Sequence, residues 1–387
     1  MDSSILTGLS VSAALLLLSA CTKMPVEEQR IPLPSDEPIE FAVGGRETKG
    51  EAPITTLAAL ADQDFSVSAW YSPEGRTFEG PGGTTVQYFE NHRFGYIKGS
   101  GEDDSFANHG WQGVTREGDV LTADPVYYPF DGTLSYFCYA PYRDPAGSPL
   151  LPVIPGSDPE SRYGGADIQL EAPVTDAGII SRLPRYLAGS PLIRVTPAAS
   201  AADQVDLLVA PPMLNRSRVR LAGQSPLDFS GHRMVKVEFR FNKTGSGEDD
   251  AVRVTRISLK NIIGSKYLYF TQNACLWSDA VSPAEFGTDF PRAGYQITVG
   301  NQELLDQENV PVRNAANDNH IAVQTEKGTL FLLPQVLPAD AELEVGYFLV
   351  SQQQEKSMTY LLSQYSLTAW PEGRVVSYQL TLDLNIP

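Results

Sequence analysis

The sequence predicts an all-β chain made of two β-sandwich domains in tandem. Short runs of alternating apolar and polar residues are separated by Gly, Pro, Asn and Asp, which is the pattern of sandwiches. Helical spacing is nearly absent, and only residues 55–61 predict a short helix. A chain of 387 residues also suits two domains better than one. We expect the N-terminal domain to span residues 39–222 and the C-terminal domain residues 223–387.

Residues 1–20 predict a secretory signal peptide. Residues 5–18 form an almost unbroken apolar run that is too short for a permanent membrane span. The run ends Leu-Ser-Ala-Cys at Cys21, which resembles a bacterial lipobox. That resemblance implies cleavage before Cys21 and a diacylglycerol on its thiol. The alternative is a buried apolar helix with a chance cysteine.

A proline-rich tether and a short strand follow the signal peptide. Prolines and charges crowd residues 21–38, so we expect an extended segment without ladder pairing. Ile39, Phe41 and Val43 then alternate with polar or small residues, which is strand periodicity. A glycine pair and Arg46 come next, and this pattern fits either a protease site or an ordinary loop.

The second half of the chain carries the clearest strand patterns. Residues 252–259 alternate with one slip of phase near Thr255. The final run alternates without interruption, and a shift by one residue would expose its whole apolar face. Its apolar members are Val376, Tyr378, Leu380, Leu382, Leu384 and Ile386. This run predicts at least the last strand of the second domain. Residues 145–200 show little periodicity and predict a long surface excursion.

Charge and cysteine usage exclude several classes of function. The net charge of −18 argues against nucleic acid as a partner, because phosphates would be repelled over the whole surface. Apart from Cys21, the chain has only Cys138 and Cys275, far apart in sequence. We expect buried thiols there, with a disulfide as the alternative. No cysteine cluster indicates a metal site, and no cofactor is predicted.

No motif in the sequence indicates an enzyme. The four histidines are scattered, and no nucleophile elbow, phosphate loop or dinucleotide fingerprint occurs. Two carboxylates could converge as in a glycosidase, but no pair is selected by the sequence. The tryptophans and the tyrosine pair at residues 127–128 could stack on sugars, although a sandwich core is the favoured place for them. The tryptophans are Trp70, Trp111, Trp277 and Trp370.

Several local runs, taken in order, resemble the fimbrillin-like lipoproteins that build type V pili. These runs are residues 64–70, 127–130, 134–141, 203–210, 227–229, 232–233, 235–239, 333–335 and 370–378. The resemblance implies two sandwich domains of transthyretin-like, Greek-key topology and export as an outer-membrane lipoprotein at the cell surface. It also implies assembly by strand exchange, in which an arginine-specific protease removes the first strand and a neighbouring subunit fills the vacated groove.

Carried onto this chain, the resemblance assigns a role to each of the features above. Cys21 is the lipidation site, Arg46 the cleavage position and Lys49 the runner-up. Ile39, Phe41 and Val43 form the removable strand, and residues 376–386 form the candidate donor strand. Many relatives continue with a further strand, whereas this chain stops at Pro387, so we expect a tip or accessory subunit.

The sequence thus predicts a structural pilus subunit with three kinds of partner. Other pilus subunits join it by strand complementation, the outer membrane holds it through the lipid before cleavage, and a host or microbial surface ligand is a further candidate. The alternatives are an uncleaved surface lipoprotein that binds glycan or another ligand, and a pilus anchor.

Overall fold

The structure is a computed structural model of the 387-residue chain. It describes residues 32–44, 57–78, 85–97, 111–144, 168–171, 173–198, 201, 204–218, 227–229, 231–244, 252–278, 292–303, 321–322, 329–349, 352–365 and 368–383.

Strands dominate the first part of the chain, with two short helices among them. In order, the elements are β1 (Pro34–Pro38), β2 (Glu40–Phe41), β3 (Val43–Gly44), α1 (Leu57–Ala61), β4 (Phe65–Ser72), β5 (Val86–Tyr96), β6 (Trp111–Glu117), β7 (Val120–Ala123), β8 (Tyr127–Pro129), β9 (Thr133–Ala140), β10 (Ile168–Glu171), α2 (Ala177–Ile180), β11 (Leu192–Val195), β12 (Leu208–Val209) and β13 (Met213–Arg216).

From residue 227 onward the described elements are strands and one 3₁₀ turn at Leu362–Gln364. The strands are β14 (Leu227–Asp228), β15 (Val235–Thr244), β16 (Val252–Ile263), β17 (Lys266–Phe270), β18 (Cys275–Trp277), β19 (Arg292–Glu303), β20 (Ile321–Ala322), β21 (Thr329–Leu332), β22 (Gln335–Val336), β23 (Glu342–Leu349), β24 (Gln354–Leu361), β25 (Ala369–Trp370) and β26 (Val375–Asp383). The prediction of an all-β chain is confirmed.

The N-terminal half is built on one sheet that curls over its own core. Its strand order is β12-β9-β4-β5-β6-β2, with β13 also paired to β9 and β7 to β6. Phe41 lies on the edge strand β2 and Tyr136 lies four strands away on β9. A flat sheet would hold strands so placed about 19 Å apart. The two ring centroids are 5.1 Å apart, so the sheet bends until its edge closes over the interior.

The C-terminal half is a β-sandwich. One sheet carries β26 and β21 on either side of β15, with β20 also paired to β15, and the other has the order β19-β16-β23-β24. Apolar residues of both sheets share a single core. The register of β16 shifts between Val254 and Arg256 against both of its neighbours. The phase slip predicted near Thr255 is therefore a β-bulge.

A third layer joins the two halves and corrects one expectation. The region 145–200 was predicted to be a surface excursion, yet its strands β10 and β11 belong to a sheet of order β10-β11-β17-β18. Ile193 of β11 is fully buried there. Phe137 of β9 lies 4.9 Å, between ring centroids, from Phe270 of β17. Strands from both sides of the predicted domain boundary at residue 222 thus share one sheet and one apolar cluster.

The cysteines and tryptophans occupy these cores. Cys138 and Cys275 are buried and carry free thiols, and burial raises the pKa of both. The exposed fractions of Trp70, Trp111, Trp277 and Trp370 are 8%, 0%, 7% and 1%. Core packing of these rings is what the sequence favoured, and the tryptophans do not form an exposed platform for sugars.

Candidate functional site: the leading segment and its groove

The leading segment, residues 34–44, hydrogen-bonds to three separate stretches of the chain. Its first strand, β1, pairs antiparallel with β8. Strand β2 pairs antiparallel with β6, and β3 pairs parallel with β14. The Ile39 N–H donates to the Val126 carbonyl at 2.7 Å, and the Leu227 N–H donates to the Ala42 carbonyl at 2.9 Å. The segment therefore pairs with strands that are far apart in the sequence, and it is not one arm of a hairpin.

The end of the predicted tether belongs to this segment. Residues 34–38 were expected to lack ladder pairing because of their prolines, yet they form β1. Pro34 lies opposite Pro129 and Pro38 opposite Tyr127, with an irregular register between these two positions. Proline donates no hydrogen bond to a ladder, which explains why the pairing is irregular here.

The segment points alternate side chains inward, as its periodicity predicts. Ile39, Phe41 and Val43 are 0%, 4% and 0% exposed. Glu40 between them faces solvent. Because successive side chains of a strand point to opposite faces, one run of five residues places three apolar side chains in one groove. Fully burying side chains of this size stabilises the fold by about 1.5–3 kcal/mol each.

The centre of the groove is an aromatic pocket around Phe41. Its ring lies 5.1 Å from Tyr136, 5.2 Å from Phe94 and 6.3 Å from Phe65, between centroids, each in an edge-to-face arrangement. Edge-to-face pairs at such distances add about 0.5–1.5 kcal/mol each beyond the area that they bury. Phe41 thus adds three ring contacts to the apolar burial that it shares with Ile39 and Val43.

A buried ion pair anchors β6, the strand that holds β2. Asp64 is 1% exposed and accepts two hydrogen bonds from the Arg116 guanidinium, both at 2.6 Å. The backbone of Asp64 has a φ of 57°, in the left-handed region that few residues other than glycine adopt. Gly95 makes room for this carboxylate, since a Cβ there would lie 2.7 Å from the Asp64 Oδ1. The hydrogen bonds to Asp64 raise the pKa of Arg116.

The candidate donor strand lies in the core of its own half. β26 runs parallel to β15 over nine residue pairs, from Val375 opposite Lys236 to Asp383 opposite Thr244. Its inward residues Val376, Tyr378, Leu380 and Leu382 are 4%, 4%, 1% and 0% exposed. The Trp370 Nε1 donates to the Tyr378 hydroxyl at 2.9 Å. Leu384 and Ile386 lie outside the described residues.

Three predicted site residues also lie outside the part of the chain that the structure describes. They are Cys21, Arg46 and Lys49, so lipidation and cleavage stay predictions. The described segment ends at Gly44. Arg46 follows the fully buried Val43 by only three residues. A cut at this arginine would sever the leading segment just beyond its last buried side chain.

A polar junction between the two halves was missed by reasoning from sequence. The His232 Nδ1 lies 2.5 Å from the Asp206 Oδ2, and Asp206 is 2% exposed. The hydrogen bond to Asp206 raises the pKa of His232, while burial raises the pKa of Asp206. Beside it, Arg233 donates to Glu372 at 2.6 Å. Residues so distant in sequence carry no spacing signal that would have paired them.

Two further observations concern the described residues only. No group of three or more His, Cys, Asp or Glu side chains in this part of the chain is arranged to hold a metal ion. Among the helices in the same residues, none has the length and apolar character needed to cross a membrane.

No protein-family model and no curated protein matches the sequence. Among solved structures, a candidate cell adhesion protein from Bacteroides uniformis ATCC 8492 is similar at a TM-score of 0.40 and 11% identity, covering 91% of this chain and 95% of that one. A candidate cell adhesion protein from Bacteroides fragilis NCTC 9343 is similar at a TM-score of 0.37 and 11% identity, covering 90% and 94%. Similarity at this level decides neither family nor function.

Proposed function

We propose that the protein is a structural subunit of a cell-surface type V pilus, exported as a lipoprotein through Cys21 and assembled by protease-triggered strand exchange. The proposal is supported mainly by the way in which the leading segment is held. It supplies three side chains to the N-terminal core, and its backbone bonds are made to three separate stretches. Another strand can replace a segment of this kind while the pairing among the surrounding strands stays the same.

The energetics favour exchange over simple loss. Withdrawing Ile39, Phe41 and Val43 would cost about 1.5–3 kcal/mol for each side chain. The sum is comparable with the whole stability of a typical domain, about 5–15 kcal/mol. A cut after Arg46 alone would leave the segment seated, and an incoming strand that refills the groove would offset the loss. The cut therefore allows the segment to leave, and binding of the neighbour's strand supplies the favourable free energy.

A tip or accessory position fits the C-terminal strand. Because β26 fills its own core and pairs with β15 over nine residues, donating it would open the C-terminal sandwich. A subunit whose last strand stays in place accepts a neighbour's strand without giving its own. This arrangement suits the end of a fibre or a branch from it better than the stalk.

The experiment is intact-mass measurement of the protein recovered from the surface of a cell that carries the pilus machinery. We expect the chain to lose every residue up to Arg46, or up to Lys49, and to be found in fibres. Arg46→Ala and Lys49→Ala, made singly and together, identify the cleavage residue, and Glu47→Ala serves as the matched control. Recovery of a full-length lipidated chain from fibre-bearing cells would contradict the proposal.

The second candidate function is an uncleaved surface lipoprotein that binds a ligand or anchors a pilus. The burial of the leading segment favours it, because an uncleaved chain would hold this segment permanently. For glycan binding the described surface offers few rings, namely Tyr127, 38% exposed, and Phe130, 79% exposed. A glycan array with the lipid-free mature chain tests this candidate, and loss of any signal in a Phe130→Ala variant would locate the ligand.

A further inference from the structure

We infer that the groove under the leading segment selects its replacement strand by an aromatic side chain at the central position, flanked two residues away on each side by an aliphatic one. This inference rests on the proposed function, because it names the strand that would refill the groove. The expected occupant is an extended strand of a second protein whose inward residues read aliphatic, aromatic, aliphatic.

The central pocket carries the selectivity. Phe41 is 4% exposed and touches the rings of Phe65, Phe94 and Tyr136 edge-on. The pocket wall continues in aromatic side chains, since Phe65 also packs against Phe229 at a centroid distance of 5.2 Å. An aliphatic side chain in this pocket would fill less of it and lose every ring-to-ring contact.

The flanking positions fix the register. Ile39 and Val43 are both fully buried. The backbone of each also pairs with a neighbouring stretch of the chain. Ile39 donates its N–H to the Val126 carbonyl at 2.7 Å, and Val43 lies opposite Leu227 in the β3–β14 pair. A slip by one residue would turn the apolar face of an incoming strand outward. A slip by two would move an aliphatic side chain into the aromatic pocket, so only one register satisfies all three positions.

The chain's own last strand has the same order of side chains, yet it is engaged elsewhere. Val376, Tyr378 and Leu380 read aliphatic, aromatic, aliphatic at alternate positions. The Tyr378 ring stacks on Phe239 at 5.9 Å, and its hydroxyl accepts from Trp370. A second copy of this chain would first have to open its own core to donate this strand. The favoured occupant is therefore a strand of another protein with this pattern and an unpaired backbone.

The experiment measures which peptides refill the groove. The Cys21→Ser mature chain is cut with an arginine-specific protease in the presence of excess labelled peptide covering residues 38–44, and incorporation is followed by fluorescence anisotropy. Unlabelled competitors carry Phe41→Tyr, Phe41→Leu or Phe41→Ala. A further competitor exchanges Ile39 with Phe41, which keeps composition and hydrophobicity constant.

We expect the Phe peptide to compete best and the Leu peptide to be about tenfold weaker or more, because the Leu peptide loses three edge-to-face ring contacts. The Tyr peptide should fall between them, because its ring keeps these contacts while its hydroxyl is desolvated. The exchanged peptide should be weaker by a similar factor. Equal competition by the native and exchanged peptides would overturn the inference while leaving strand exchange intact. If no peptide is incorporated, both the proposed strand exchange and this inference are wrong.

A second measurement tests the same side-chain order while the leading segment still occupies the groove. In the uncleaved chain, the double variant Ile39→Phe/Phe41→Ile should unfold at a lower urea concentration than the wild type. An unchanged midpoint would overturn the inference independently of cleavage.

Discussion

Truncation of Phe41 tests whether the leading segment is part of the N-terminal core. The side chain is 4% exposed, and three rings lie between 5.1 and 6.3 Å from its own. Replacing a buried phenylalanine by alanine costs about 3–5 kcal/mol, because the site loses the transfer free energy of the ring and keeps a cavity. We expect Phe41→Ala to lower the free energy of unfolding of the protein by this amount.

The assay is urea denaturation of the uncleaved Cys21→Ser chain, followed by tryptophan fluorescence. Trp111 lies directly opposite Phe41 in the β2–β6 ladder, Trp370 lies in the C-terminal core, and Trp70 and Trp277 lie in the cluster that joins the two halves, so the summed fluorescence follows unfolding of the whole protein. The matched control is Glu40→Ala, because Glu40 belongs to the same ladder but faces solvent; its effect should stay within about 0.5 kcal/mol. A cost below about 1 kcal/mol for Phe41→Ala would refute the reasoning.

Three further predictions concern the surroundings of the groove and the junction. Asp64→Asn should destabilise the N-terminal half by about 3 kcal/mol, the low end for a broken buried pair, since the Arg116 side chain keeps 21% exposure; a loss below about 1 kcal/mol in urea would contradict this. His232→Gln should cost about 1.5–3 kcal/mol at pH 5.5 and less at pH 8.5. The raised pKa of His232 means that the stability contributed by its protonated form is present at pH 5.5, below the ordinary histidine value of about 6.5, and is lost as the pH rises through the folded value; equal costs at both pH values would rule this out. In the Cys21→Ser chain, the two buried thiols should react with a thiol reagent only after denaturation, because burial raises their pKa; reaction of the native chain would disprove their burial.

Periodicity predicted the elements whose two faces differ in environment. The inward set of Ile39, Phe41 and Val43 follows from alternation alone, and so does the inward set of β26. The bulge of β16 was visible as a phase slip near Thr255. In each case one face meets a core and the other meets water, so the sequence records the geometry directly.

The sequence could not show which strands are covered on both faces. Every residue of β4 is buried, including Ser66 and Ser68. Both serines bond to Asn91, one donating to its side-chain oxygen at 2.6 Å and the other accepting its N–H at 2.8 Å. Polar side chains satisfied in this way look like an exposed face in the sequence, although here they are buried.

Long-range pairing was equally hidden. The sequence predicts a loop at β11, because this strand is short and lies among Pro, Gly and Ala. Its partner β17 lies about seventy residues later, with Leu192 opposite Tyr269. The closure of the sheets likewise decides which stretches pair with the leading segment and which carboxylate contacts His232. Neither pairing can be predicted from the local sequence.

The most direct test of the central claim is exchange of the leading segment itself. The Cys21→Ser chain is cut after Arg46 and mixed with an isotopically heavy copy of residues 32–46, and native mass spectrometry follows the complex over time. We predict that the light fragment stays bound after the cut and is then replaced by the heavy one while the remainder of the chain stays folded. A cut chain that unfolds at once, or one that never takes up the heavy segment, would contradict the account.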